Sequence, residues 1–223
     1  MTETDFKIRR PPRAAVTPPP GSLSAECAAL LENRGPLRIL DIGCGRAKYR
    51  QFVIECGHKY VGLDLSSRQS AVRGDAHALP FGDSQFDAAF LFGVLQYSLN
   101  PLLVFEEARR VMRPAGTLTG CIAFLEPAVW GGLMQLSAAG LAILLRQAGL
   151  RLEYIWPSWD VFEAIACAVR QGDLGHAAGR DALRKVESAQ KLYEKVFQDT
   201  LDFSGAIFFH AEKSDAPPRY PAA

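Results

Sequence analysis

Apolar residues along this chain gather into short runs, broken by glycine, proline and polar turns, and the runs alternate with stretches that repeat at helical spacing. Leu37 to Ile42 predicts a first strand, and Tyr60 to Leu63 a second that ends at Asp64. Phe86 to Phe92 and Thr117 to Phe124 predict two more, and "LRLEYIW" (150–156) and "GAIFFHA" (Gly205 to Ala211) the last two clear ones. Between them, Ser24 to Asn33 suits a short helix. Asn100 to Arg113 places Leu103, Ala108, Val111 and Met112 close to one helical face, with Asn100 as N-cap, Pro101 in the first turn, and Pro114 and Gly116 as terminators. Gly140 to Gly149 is a further helix. Strands alternating with helices predict an α/β fold with a largely parallel sheet.

Three segments stand apart from this rhythm. Residues 1–22 hold five prolines and four basic residues, which favours an extended or flexible tail or a lid, and residues 215–223 read as a second flexible tail. A single domain is therefore expected over residues 23–214. Val129 to Leu145 is nearly uncharged and close in length to the shortest membrane span. Its three glycines, Gln135 and Ser137 favour a buried helix with a glycine-rich lead-in over a lipid-contacting surface. Residues 157–202 form a long insertion with Leu183, Val186, Leu192 and Val196 at helical spacing. It suits either a cap over a substrate or a helical pair that extends the core or makes a homodimer contact.

Composition narrows the possibilities. A chain of 223 residues with 48% hydrophobic content can bury one sizeable core. Lys plus Arg number 25 against 24 Asp plus Glu, so no global field recruits nucleic acid or an anionic membrane. The five cysteines are scattered, with neither CxxC pairing nor metal-ligand spacing, so no metal is expected and free thiols in a reducing cytoplasm are the plain reading. The basic N-terminal stretch lacks the apolar segment of a secretory signal.

The chemistry gathers at "LRILDIGCGRAKYR" (37–50), an apolar strand that breaks into Gly43 and Gly45. A glycine turn feeding a helix brings backbone N–H groups close to a ligand. A dinucleotide loop carries a third glycine where this chain has Lys48, which disfavours an NAD-dependent oxidoreductase. Asp64, 23 residues beyond Asp41, stands where a carboxylate grips a ribose diol. Asp75 follows in "GDAHALPF", suited to a base edge or to an Asx turn.

The ordered blocks "LDIGCG", "VGLDLS", "GDAHALPFGDSQFDAAFLFGVLQYSLNP" and "EEARRVMRPAGTL" resemble those of class I S-adenosylmethionine-dependent methyltransferases of the group acting on small molecules, over roughly residues 35–155. The resemblance implies a Rossmann-like, mostly parallel seven-stranded sheet with an antiparallel last strand. It also implies S-adenosylmethionine as cofactor, with Asp41, Gly43 and Gly45 around its methionine part and Asp64 on its ribose. By the same resemblance Leu65 would pack on the adenine face, Asp75 and Ala76 would address the adenine edge, and Phe92 and Gly93 would close the wall. Two departures stand out: Ala47 replaces the usual third glycine, and only ten residues separate Asp64 from Asp75, so the third strand must be short and its helix nearly absent. This shortening resembles methyltransferases of glycan and secondary-metabolite pathways.

Beside the cofactor, Gln96 and Tyr97 are candidates to face a small-molecule acceptor, as is Trp159 in the insertion, while Trp156 suits core or pocket equally. His77 and Tyr97 are the candidates for proton transfer, although a loop histidine bonded to backbone is the favoured reading of His77. A sulfonium methyl is already activated, so positioning for in-line attack on it carries most of the task and no base is required unless the acceptor must first lose a proton. Methyl transfer to an O, N or C atom of a small molecule is the leading expectation, and a cofactor-binding module without turnover the alternative. The fourth strand ends "FLFGVLQ", without the Asn or Asp followed by two prolines of base methylases, which argues against nucleic acid.

Overall fold

The computed structural model describes residues 9–12, 23–32, 34–124, 132–157, 181, 183–186, 188–189 and 206–215. Its centre is a seven-stranded sheet in the order β3-β2-β1-β4-β5-β7-β6. The strands are β1 (Arg38–Ile42), β2 (Lys59–Asp64), β3 (Val72–Arg73), β4 (Phe86–Phe92), β5 (Met112–Ala123), β6 (Leu150–Pro157) and β7 (Ala206–Lys213). β1 to β5 pair in parallel, and β7 runs antiparallel to both β5 and β6. The expected architecture is therefore present, including the shortened third strand of only two residues, with no helix between β2 and β3.

Alternation along the strands divides the core. Leu40, Ile42, Ala89, Leu91 and Leu118 pack on one face, against α3 (Pro101–Val111) and α4 (Ala138–Gln147). Their neighbours Ile39, Ala88 and Phe90 pack on the other, against α1 (Ala25–Ala29) and α2 (Arg50–Glu55). Trp156 belongs to this second cluster, fully buried with its ring stacked 5.5 Å from Phe208, so it is core and not pocket.

Two helices depart from expectation. α1 stops at Ala29 because the chain tightens into three-residue bonds, Leu31 N–H to Ala28 and Glu32 N–H to Ala29, which turns Leu31 into the core. In α3 the cap is as expected, with Asn100 Oδ1 accepting from Leu103 N–H at 3.2 Å, but the buried stripe is Val104, Phe105, Ala108 and Val111. Leu103 faces solvent, since the apolar face begins one residue later than the pattern suggested. Met112 is not helical but opens β5 opposite Phe86, after which residues 113–116 bulge out before Thr117 pairs with Ala88. Gly116 makes that bulge possible, because a β-carbon there would lie 2.8 Å from the Arg113 carbonyl oxygen.

The uncharged stretch around residue 140 forms α4, a ten-residue helix capped by Ser137, which buries Leu141 and Leu145. Among the described residues no helix is long and apolar enough to cross a membrane. Of the N-terminal segment, Arg9 forms an antiparallel bridge with Ile155 on the edge strand β6, with bonds of 3.0 and 2.9 Å. Most of the 157–202 insertion, Trp159 included, lies outside the described residues; within it Leu183 to Val186 are helical and Asp181 pairs with Lys185 at 2.7 Å.

Candidate active site

The strand order reverses between β1 and β4, where a crevice opens beyond the carboxyl ends of an α/β sheet. There the chain leaves β1 at Gly43 and hooks onto β2, with the N–H groups of Gly43 and Cys44 both bonded to the Leu63 carbonyl at 2.7 and 2.9 Å. Gly43 adopts φ +70°, and a β-carbon on it would meet Val94 Cγ2 at 2.4 Å, so only glycine fits. Ala47 takes φ 52° in the same left-handed region, where glycine is usual.

The crevice holds a cavity of about 360 Å³, inside the range of roughly 300–1,000 Å³ common for small-ligand sites. Asp64, Leu65 and Ser66 line it from the end of β2, Gly74 to His77 from the loop after β3, and Gly93, Val94, Tyr97 and Ser98 from the turn after β4. Gly43 and the buried Leu63 and Val104 complete the wall. Of the residues anticipated from sequence, Gly43, Asp64, Leu65, Asp75, Ala76, His77, Gly93 and Tyr97 come together here.

Four others do not line the cavity. Asp41 is 1% exposed and lies beneath the turn, where the Tyr60 hydroxyl donates to it at 2.6 Å. Burial pushes its carboxyl up to about 7 against the opposing pull of that hydrogen bond and of Lys48. Gly45 serves Asp64 through its N–H. Phe92 points to the opposite face because side chains alternate along β4, and it joins Tyr49 at 4.9 Å and Phe90 at 5.4 Å. Gln96 supports the turn by accepting from Leu133 N–H at 2.6 Å through its backbone, and its side-chain oxygen is buried.

Asp64 is more than a free acceptor. Its carboxylate takes the N–H groups of Gly45 (3.0 Å), Ser66 (2.9 Å) and Ser67 (2.8 Å), while the Ser67 hydroxyl donates to the Gly45 carbonyl. Burial alone would raise its pKa, but these amides together hold it below the usual carboxylate value. A carboxylate offers about four lone-pair sites. Oδ1 already accepts two amides and Oδ2 one, so Oδ2 keeps a lone pair free, and a ribose diol held by both oxygens shares or displaces a Ser66 or Ser67 bond on Oδ1.

The loop after β3 is clamped from α3. Glu107 accepts from Leu79 N–H at 2.7 Å, and Arg110 donates to Glu107, to the carbonyls of Phe81 and Leu79 at 2.8 and 3.0 Å, and to Asp83 at 2.9 Å. At its tip, His77 N–H and His77 Nδ1 lie 2.9 and 2.7 Å from Asp75 Oδ1, and His77 Nε2 lies 2.7 Å from Ser98 Oγ. Sequence reasoning missed Leu63, Ser66, Gly74, Val94, Ser98 and Val104 in the wall. Ser66 follows Asp64 so closely that the strand-end acid itself signals it, whereas Ser98 meets His77 across 21 residues and no local pattern announces it.

Residues 40–119 match the family described as methyltransferase domain. Malonyl-[acyl-carrier protein] O-methyltransferase of Erwinia pyrifoliae is 33% identical over 132 residues, 52% of this chain and 48% of that protein. Demethylmenaquinone methyltransferase of Mycobacterium sp. (strain KMS) is 36% identical over 104 residues, 43% of this chain and 45% of that protein. The chain thus spans half or less of the length of these curated relatives. Among solved structures, the [4+2]-cyclase SpnF superposes with a TM-score of 0.57 at 24% identity, covering 87% of this chain and 84% of that one, which shows a shared fold. Residues 40–119 thus carry a methyltransferase domain, and the seven-stranded sheet is the fold shared with solved class I S-adenosylmethionine-dependent methyltransferases. S-adenosylmethionine is the cofactor that goes with it. The residues present fit it: a glycine turn without a third glycine for a pyrophosphate, a strand-end carboxylate, and a second acid on the far wall.

Proposed function

We propose that this protein transfers the methyl group of S-adenosylmethionine to an O, N or C atom of a small acceptor with an apolar body. The carrying observation is a cavity that unites Gly43, Asp64 and Asp75 with Tyr97. In this reading Asp64 orients the ribose, Leu65 covers an adenine face, and Asp75 and Ala76 meet its edge. When bound, the cofactor supplies an activated methyl. The chain's part is to place the acceptor in line, which can lower the barrier by several kcal/mol. Leu65, Tyr97, Leu99 and Leu133 are exposed around the carboxyl ends of β2, β4 and β5, a rim suited to an apolar body. The relatives named for malonyl-acyl carrier and demethylmenaquinone substrates support a carboxyl or ring acceptor joined to such a body.

The test combines binding and turnover. S-adenosylmethionine and S-adenosylhomocysteine should raise the melting temperature by mass action, and NAD should not. Label from methyl-labelled cofactor should then pass to a member of a panel of fatty acids, acyl thioesters, quinones and sterols. A shift with NAD alone would overturn the cofactor assignment. Binding without transfer to any acceptor would leave a cofactor-binding module.

A further inference from the structure

We infer that His77 and Ser98 are positioning residues that aim the Asp75 carboxylate at the exocyclic amine of the cofactor's adenine, and so make this cavity selective for a 6-amino purine. The inference rests on the cofactor reading of the preceding section and adds to it two positioning residues, for which discrimination between 6-amino and 6-oxo purines is the readout.

The hydrogen-bond polarity carries it. Ser98 is 3% exposed, and its Oγ accepts the Asn100 N–H at 3.1 Å. The ionised Asp75 carboxylate can only accept, so the facing His77 Nδ1 carries the ring's proton, and Nε2 then accepts from the Ser98 hydroxyl at 2.7 Å. Nδ1–H then donates to Asp75 Oδ1 at 2.7 Å, beside the backbone N–H of His77 at 2.9 Å on the same oxygen. Both donors fall on Oδ1, so Oδ2 is the oxygen left for a donor in the cavity. All three side chains line that cavity.

The chain of bonds starts on a firm base. Asn100 also caps α3 through Leu103 N–H, so the relay runs from the helix start, through Ser98 and His77, to the carboxylate. Asp75 is otherwise a loop residue with 54% of its side chain exposed, and an untethered carboxylate there would lose rotamer freedom on binding. The backbone and side-chain bonds from His77, in that order, also hold its carboxyl below the usual range, so it accepts and does not donate. An acceptor suits the N–H of a 6-amino purine and opposes the carbonyl of a 6-oxo purine. Both ring nitrogens of His77 are engaged in this relay, and its role is to orient.

Calorimetric dissociation constants for S-adenosylhomocysteine and its deaminated analogue S-inosylhomocysteine test the proposal on the intact chain. Wild type should favour the adenosyl ligand by at least about tenfold, the worth of one charge-assisted hydrogen bond. His77→Ala and Ser98→Ala should each shrink that ratio severalfold, and Ser98→Thr, which keeps a hydroxyl, should restore it. Ser98→Ala removes one atom and guards against a His77 variant that fails to fold. Equal weakening of both ligands, with the ratio unchanged, would mark His77 and Ser98 as loop supports and overturn the inference. Wild type binding neither ligand would overturn the cofactor reading itself, an outcome separate from a wild type that binds both equally, which sinks the adenine selectivity alone.

Discussion

Val94 leans over Gly43 so closely that a β-carbon on Gly43 would lie 2.4 Å from Val94 Cγ2, which ties the turn after β1 to the turn after β4. Gly43→Ala should therefore be destabilised twice, by the clash and by the left-handed backbone, the latter costing about 1–2 kcal/mol. Adding Val94→Ala should recover the first part only. Chemical denaturation of the two single variants and the double variant checks this, and full recovery would show that the backbone strain is negligible.

Asp64→Ala should lower both thermal stability and cofactor affinity. The three amides that converge on this carboxylate lose their acceptor, and bonds to a charged group are worth about 1.5–3 kcal/mol. Melting temperature measured with and without S-adenosylhomocysteine separates the two effects. A variant that melts like wild type while losing affinity would confine Asp64 to ligand contact.

Asp41 titrates in the opposite sense to a paired surface acid. Its folded-state value, about 7, lies above the ordinary 3.8, so the folded protein holds a proton there that the unfolded chain has lost. That stability is fully present below pH 3.8 and is lost as pH rises through about 7. Asp41→Asn keeps an acceptor for Tyr60 and removes the titration, so its melting temperature relative to wild type should climb between pH 5 and pH 8. His210 acts oppositely. Burial first, then Arg34, lowers it from 6.5 to about 4, so its contribution is lost as pH falls across that window. His210→Gln should flatten the acid side of the profile.

Arg110→Ala should cost about 2 kcal/mol of stability, since it frees two backbone carbonyls and leaves Glu107 with the Leu79 N–H but without its ion-pair partner. The loop carrying Asp75 should loosen as well, read as faster amide exchange at Leu79 and Phe81. Arg110→Lys should recover only part, because an ammonium lacks the planar fork that reaches Glu107 and both carbonyls at once.

Much of this architecture was legible because its signals are local. The apolar run of β4 was readable end to end, the Asn100–Pro101 pair marks the start of α3, and the short interval between Asp64 and Asp75 announces a stunted third strand. Misreadings arose where a residue's direction mattered more than its position. Phe92 sits at the right strand end but turns to the other face with Phe90, and Asp41 stands at the motif yet lies under it, bonded to Tyr60. The stripe of α3 was set one residue early because Leu103 and Val104 are equally apolar, and only packing distinguishes them. The His77–Ser98 contact joins two turns that come together only when β4 lies beside β1.

The place of β7 between β5 and β6 sets an order of assembly. β6 leaves the ribosome before β7, yet apart from the bridge at Arg9 its sheet partner is β7, which begins only at Ala206. The apolar side chains of Ile155 and Trp156, and the backbone groups of β6 that pair with β7, must therefore wait uncovered while the intervening residues are synthesised. Closure of the sheet's last third is a late, non-local event of the kind that slows folding and invites chaperone contact. Nascent chains arrested before residue 206 should hold β1 to β5 near their native pairing while leaving β6 open to proteolysis.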